Sequence, residues 1–119
     1  MIYTTYYSKL LSLPEGTIAY AISNSVPAGI QLPRLWQAIP NWEFVKEFRL
    51  NGDWALFKER YLQQLASRSD SDWDILRQAS NDIALVCYEK DRNVCHRSIL
   101  ADWLHERYGL GVREWGCIV

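Results

Sequence analysis

Residues able to carry a proton, attack an electrophile or hold an anion crowd into one stretch, Cys87-Tyr88-Glu89-Lys90-Asp91-Arg92-Asn93-Val94-Cys95-His96-Arg97. A cysteine thiolate is a strong nucleophile, and a histidine titrates near neutrality and serves as general acid or base. An arginine guanidinium offers a planar fork of donors suited to phosphate or carboxylate. With Asn93 as N-cap, Val94, Cys95 and His96 would occupy the first turn of a helix. Its free N–H groups and dipole would attract an anion there and lower the pKa of Cys95. Cys95 and His96 are therefore the candidate catalytic residues. Arg97, Glu89 and Cys87 are candidate ligand-binding residues, the last two forming a wall of the site.

Each residue also has a structural role open to it. Cys87 closes an apolar run and suits a core position, and Cys95 can equally pack against a sheet. His96 can satisfy a core hydrogen bond, and Arg97 can bridge to Glu89 or Asp91 and staple the loop. A metal set of Cys87, Cys95 and His96 is disfavoured. Adjacent Cys95 and His96 would diverge on a helix, and the Cys-x2–4-Cys spacing is absent. No metal and no cofactor is therefore expected. Cys87 and Arg92 stand at Cys-x4-Arg spacing, but the intervening loop holds Glu89 and Asp91 and no glycine, so it would repel an anion rather than wrap it. A Cys87–Cys95 disulfide switch is a third arrangement, open on spacing alone.

The elements that must hold this stretch follow from periodicity. Residues 2–7, 17–22 and 82–88 are β-branched, aromatic or apolar runs bounded by turn residues, and predict strands. Loops at Leu13-Pro14-Glu15-Gly16 and Ser23–Gly29 punctuate the first two. Asn41 caps a helix carrying Trp42, Val45 and Phe48, which ends at Asn51-Gly52. Asp53 caps another, with Trp54, Phe57, Tyr61 and Leu65 on one face and Lys58, Glu59, Gln63 and Gln64 on the other. Ser71 and Asp74 resemble a capping box before a short helix around Trp73 and Leu76. A last helix carries Leu100, Trp103, Leu104 and Tyr108, stops at Gly109, and leads to a strand over 112–115. The order predicts one α/β domain over residues 1–119, in three layers, with a small, mainly parallel sheet flanked by helices. In such a sheet the ligand crevice lies beyond the strands' carboxyl ends, where the loops after 17–22 and 82–88 meet.

Bulk properties narrow the partners. The 119 residues carry 13 basic and 14 acidic side chains, a net charge of −1, so no global field draws in nucleic acid or a membrane surface. No run approaches the roughly 20 apolar residues of a membrane span. The start lacks the pattern of a signal peptide, and three cysteines make no disulfide framework, so a reducing cytoplasmic setting is expected. Six tryptophans supply a large apolar area for a chain of this length. Trp36 and Trp115 are the ones considered for the crevice.

Leu85-Val86-Cys87-Tyr88-Glu89-Lys90-Asp91 followed by Cys95-His96-Arg97-Ser98-Ile99-Leu100-Ala101-Asp102-Trp103-Leu104 resembles the signature of the DUF488 family, a strand ending in Cys-x-Glu and a helix opening with Cys-His-Arg. Ile2-Tyr3-Thr4 with Tyr6-Tyr7-Ser8 is similar to its first strand, and Ile22–Pro27 falls at its second strand and proline-containing loop. The resemblance implies a compact α/β domain with its site at the strand-end edge. Where many members carry Asp-x-Arg after the second strand, this chain has Ala21-Ile22-Ser23-Asn24, as in a divergent branch; Ser23 and Asn24 would supply neutral hydrogen bonds instead. Three functions follow: an enzyme acting on a phosphate-bearing ligand, a nucleotide or nucleic-acid end; a non-catalytic module binding a small anion, nucleic acid or partner; and a structural staple with function elsewhere. The sequence sets no oligomeric state.

Overall fold

A computed structural model describes residues 1–116. Its four strands are β1 (Ile2–Tyr6), β2 (Ile18–Ala21), β3 (Ile83–Cys87) and β4 (Val112–Glu114), in the order β2-β3-β1-β4 with every pairing parallel. The helices are α1 (Trp42–Asn51), α2 (Trp54–Ala66), the single turn α3 (Asp74–Arg77) and α4 (His96–Tyr108). The α/β class and the parallel sheet expected from the periodicity are what the chain forms. The last crossover, β3-α4-β4, spans one strand, because β4 pairs with β1 rather than β3.

Strand β3 is buried at all five positions, as its unbroken apolar run requires of a strand covered on both faces. Alternation sends Ile83, Leu85 and Cys87 to one face and Ala84 and Val86 to the other. The first face carries the main core, with Phe57, Tyr61 and Leu65 of α2, Leu76 of α3, and Ile99, Leu100 and Leu104 of α4. Trp73, fully buried, stacks at a tilt on Trp103, with ring centroids 5.1 Å apart. The second face is small-to-large: Ala21, Ala84 and Val86 lie beneath Tyr7, Leu10, Leu13, Ile30 and Leu32. Its cover is a 3₁₀ segment, Tyr7–Ser12, and the loop expected after β2, in place of the helical layer that a three-layer arrangement predicts on this face. Small sheet residues on that face leave room for irregular backbone to approach closely.

Helix ends follow the side chains available. Asn41 accepts from the Glu43 amide and Asp53 from the Leu56 amide, as their N-cap positions predict. Gly52 and Gly109 end α1 and α4 in the left-handed conformation, φ 66° and 68°. The capping box forms two residues earlier than expected, between Ser69 and Asp72, and opens a 3₁₀ turn over Asp70–Trp73 that runs into α3. The larger departure is at α4. The Asp91 carboxylate accepts the Asn93 amide and closes a 3₁₀ turn over Arg92–Val94, so the cap and the helix start each fall two residues later than expected. Cys95, with φ −123° and ψ 140°, is the N-cap and is extended, not helical.

Candidate functional site

Parallel pairing of Ala21 with Val86, continued by the Ile22 amide donating to the Val86 carbonyl, brings the ends of β2 and β3 side by side. The loops that leave them enclose a cleft of about 190 Å³. Ser23, Asn24 and Ser25 line it from the β2 side, and Cys87, Tyr88 and Glu89 from the β3 side. Cys95 and His96 stand at its floor, where α4 begins. Of the seven residues singled out from sequence, six line this cleft.

The opposite wall is aromatic. Trp42, Val45 and Phe48 of α1 face inward beside Trp54 and Phe57 of α2, and Arg49 lies at the edge with its guanidinium 5.2 Å from the centre of the Trp42 ring. Phe48 contacts both Trp54 and Phe57, with centroids 5.5 and 5.6 Å apart, which locks α1 against α2. Gln64 secures the entry to α1: its amide nitrogen donates to the Ile39 carbonyl and its oxygen accepts from the Asn41 amide. Periodicity groups Trp42, Phe48 and Trp54 with the core, since an apolar helical face looks the same whether it meets packed side chains or a cleft. Trp36 is exposed and, like Trp115, is not part of the cleft lining. Trp115 donates its indole N–H to Ser12.

Cys95 and His96 do not diverge. Divergence holds for neighbours on a helix, whereas extended Cys95 and the first helical residue His96 aim at the same point. His96 Nδ1 lies 3.9 Å from Cys95 Sγ, and its Nε2–H donates to the Ile22 carbonyl. That bond leaves Nδ1 as the lone-pair nitrogen facing the cysteines. Burial pulls the His96 pKa down to about 4; the Ile22 carbonyl opposes the shift and the charge of Arg97 adds to it. The ring is thus neutral near pH 7 and keeps the Nδ1 lone pair free to accept a hydrogen bond or hold a metal. It meets Tyr61 edge-on, centroids 5.5 Å apart, and the Tyr61 hydroxyl donates to the Ala38 carbonyl at 2.5 Å.

Cys87 and Cys95 are joined as a disulfide, their Cα atoms 7.7 Å apart. The ligand atoms of Cys87, Cys95 and His96 lie within 4.8 Å of one another. Ser23 bonds the Tyr7 hydroxyl and the Ser25 carbonyl, each at 2.6 Å, and burial raises the Tyr7 pKa. Asn24 donates to the Pro40 carbonyl at 3.1 Å, tying the β2 loop to the start of α1.

Arg97 is turned away from the cleft. It is fully buried over the sheet, and all five of its N–H groups have partners. Nε donates to both Glu114 oxygens at 3.0 and 3.1 Å, and Nη2 to Glu114 at 2.9 Å and to the Lys90 carbonyl at 3.0 Å. Nη1 donates to the Glu89 carbonyl and to Cys87 Sγ, the latter at 3.2 Å. The expected bridge to the Glu89 or Asp91 carboxylate gives way to one with Glu114. Sheet register explains the partner. Thr4 pairs with Glu114 and Tyr6 with Cys87, so these four side chains share the face beneath α4, and the Thr4 hydroxyl donates to Glu114 at 2.7 Å. Arg97 thereby fixes Cys87 and the loop after β3 from below.

Cys95 lies ahead of the first turn of α4 rather than within it, and Arg97 has no N–H left for an anion. Arg49 is exposed at the cleft and has no ion pair or hydrogen bond to a described residue. No curated protein and no solved structure matches the chain. The family model described as the active DUF488-N3 subclade matches residues 18–108, which hold both loops, the aromatic wall and the Cys-His pair, and the chain belongs to the DUF488 family.

Proposed function

We propose that this protein is an enzyme acting on a phosphate-bearing ligand with a flat ring, a nucleotide or a nucleic-acid end, with Cys95 and His96 as its reacting residues. The observation that carries this reading is the cleft itself, an aromatic wall facing a Cys-Cys-His group across about 190 Å³. Stacking on an aromatic side chain is worth about 1–3 kcal/mol per base and tolerates any base. Trp42 and Trp54 supply that surface, Asn24 and Ser25 polar contacts, and Arg49 the cation at the mouth for phosphate. Neutral His96 presents its Nδ1 lone pair to the Cys95 thiol once the cysteine bridge is open, which orients the sulfur toward the ligand. Arg97 acts through Cys87, as a positioning residue.

A panel of nucleotides, short single strands and inorganic phosphate, screened by tryptophan fluorescence and thermal shift under reducing conditions, tests the reading. Nucleotides should quench fluorescence and raise Tm, and Trp42→Ala should weaken both responses; silence across the panel overturns the proposal. The internal pairing of Arg97 favours a second reading, a cleft that binds without turnover. Its signature is a nucleotide response that persists unchanged in Cys95→Ser with no product formed by the native chain.

A further inference from the structure

We infer that the reduced protein binds one zinc-class metal ion through Cys87 Sγ, Cys95 Sγ and His96 Nδ1, with the fourth position open to the cleft. Four observations on different atoms support the site.

The three donor atoms already converge within 4.8 Å, on three residues that all line the cleft. Two thiolates and an imidazole are the donor set of zinc, and three protein ligands with a vacant fourth position are the arrangement of catalytic zinc centres.

The surroundings of the donors are those of metal ligands. Metal-bound histidines almost always donate their second ring N–H to a carbonyl or carboxylate, and the His96 Nε2–H is already given to the Ile22 carbonyl. Cys87 Sγ accepts an N–H from buried Arg97 at 3.2 Å, a contact that stabilises a thiolate. The charges also close. A divalent ion cancels two thiolates, Glu114 cancels Arg97, and the buried group is neutral as a whole. Two thiolates without the ion would leave an uncompensated buried charge.

Loading has a defined stoichiometry. A dithiol reductant opens the Cys87–Cys95 bridge and is itself oxidised to its disulfide, leaving two thiols. Binding of the ion then forms two metal–sulfur bonds and releases the two thiol protons. In the loaded protein Cys95 and His96 take part as ligands, so a role for the ion in turnover, as a Lewis acid or water activator facing the ligand, rests on the phosphate-bearing ligand proposed above; binding of the ion does not.

The test uses the full chain in a Cys117→Ser background, reduced, freed of metal and titrated with Co²⁺ and then Zn²⁺ without nucleotide. One equivalent of Co²⁺ should give thiolate-to-cobalt charge-transfer bands and d–d bands of tetrahedral intensity, and Zn²⁺ should displace it with two protons released. Cys87→Ser, Cys95→Ser and His96→Gln should each weaken binding by more than the roughly 10–100-fold that loss of an outer-shell partner costs. Near-ultraviolet circular dichroism from the tryptophans verifies that each variant is folded. Should a cysteine variant fail to fold, the unsubstituted pair decides: Zn²⁺ should protect Cys87 and Cys95 from alkylation, and a chelator should restore reactivity. Absence of the cobalt bands in reduced, folded protein, bands that survive loss of either cysteine, or alkylation indifferent to Zn²⁺ overturns the inference. A nucleotide screen that fails while cobalt binds rejects the ligand assignment alone.

Discussion

Two arginines of this molecule sit within one fold and do opposite work. Arg97 belongs to the recognisable Cys-His-Arg run, yet every N–H it owns is bound inside the protein and none reaches the cleft. Arg49 belongs to no motif, lies on the outer turn of α1, and holds the cation at the cleft mouth with only the Trp42 face beneath it. A residue's place in a motif therefore says that it matters to the site, while only its surroundings say whether it touches a ligand.

Substitutions separate these roles. The largest effect should come from Arg97→Ala, which leaves Glu114 buried without a cation. Removing one partner of a buried pair costs about 3–5 kcal/mol, a large part of the stability of a domain this size, so equilibrium denaturation should show a much lower midpoint. Arg97→Lys should recover only part of it, because one ammonium cannot reproduce the contacts to Glu114, Cys87 and two carbonyls. Next, Trp42→Ala should leave the denaturation midpoint almost unchanged and weaken nucleotide binding by roughly 5–150-fold, the equivalent of about 1–3 kcal/mol of stacking. If Trp42→Ala instead lowers stability as much as Arg97→Ala, the aromatic wall is core and the comparison fails. Tyr61→Phe should cost about 1 kcal/mol in stability through the lost bond to the Ala38 carbonyl. The smallest effect belongs to Arg49→Ala. Stability should stay within about 0.5 kcal/mol, while binding of phosphorylated ligands falls a few-fold at low salt and that of unphosphorylated ones does not change.

The layout of the site was legible in the sequence, and its inner contacts were not. An unbroken apolar run ending at Cys87 could only be a buried strand, and a strand end in a parallel sheet marks the crevice. Ser23 and Asn24 were placed by the same rule. The partner of Arg97 was hidden because Glu114 lies on another strand, and only the register of β1 with β4 puts that carboxylate under α4. Cys95 was misplaced by a local competition. The Asp91 side chain takes the Asn93 amide and defers the helix, and that small delay turns two diverging side chains into converging ones. Trp42, Phe48 and Trp54 carried the helical spacing of a core face, and nothing in that spacing distinguishes a wall from a filling.

The position of β1 bears on how such a chain comes together. It lies between β3 and β4, and its pairings join residues far apart in the chain, Ile2 with Ile83 and Ile2 with Val112. The Thr4–Glu114 and Thr5–Trp115 bonds each span 110 residues of sequence, and the Arg97 network closes only after β4 arrives. Pairings so distant in sequence carry a high loop-closure cost and slow folding. A nascent chain halted before residue 112 would hold helices and three strands but an unmatched guanidinium beneath the cleft. The support beneath Cys87 and the loop after β3 is therefore completed only when a three-residue strand joins the sheet.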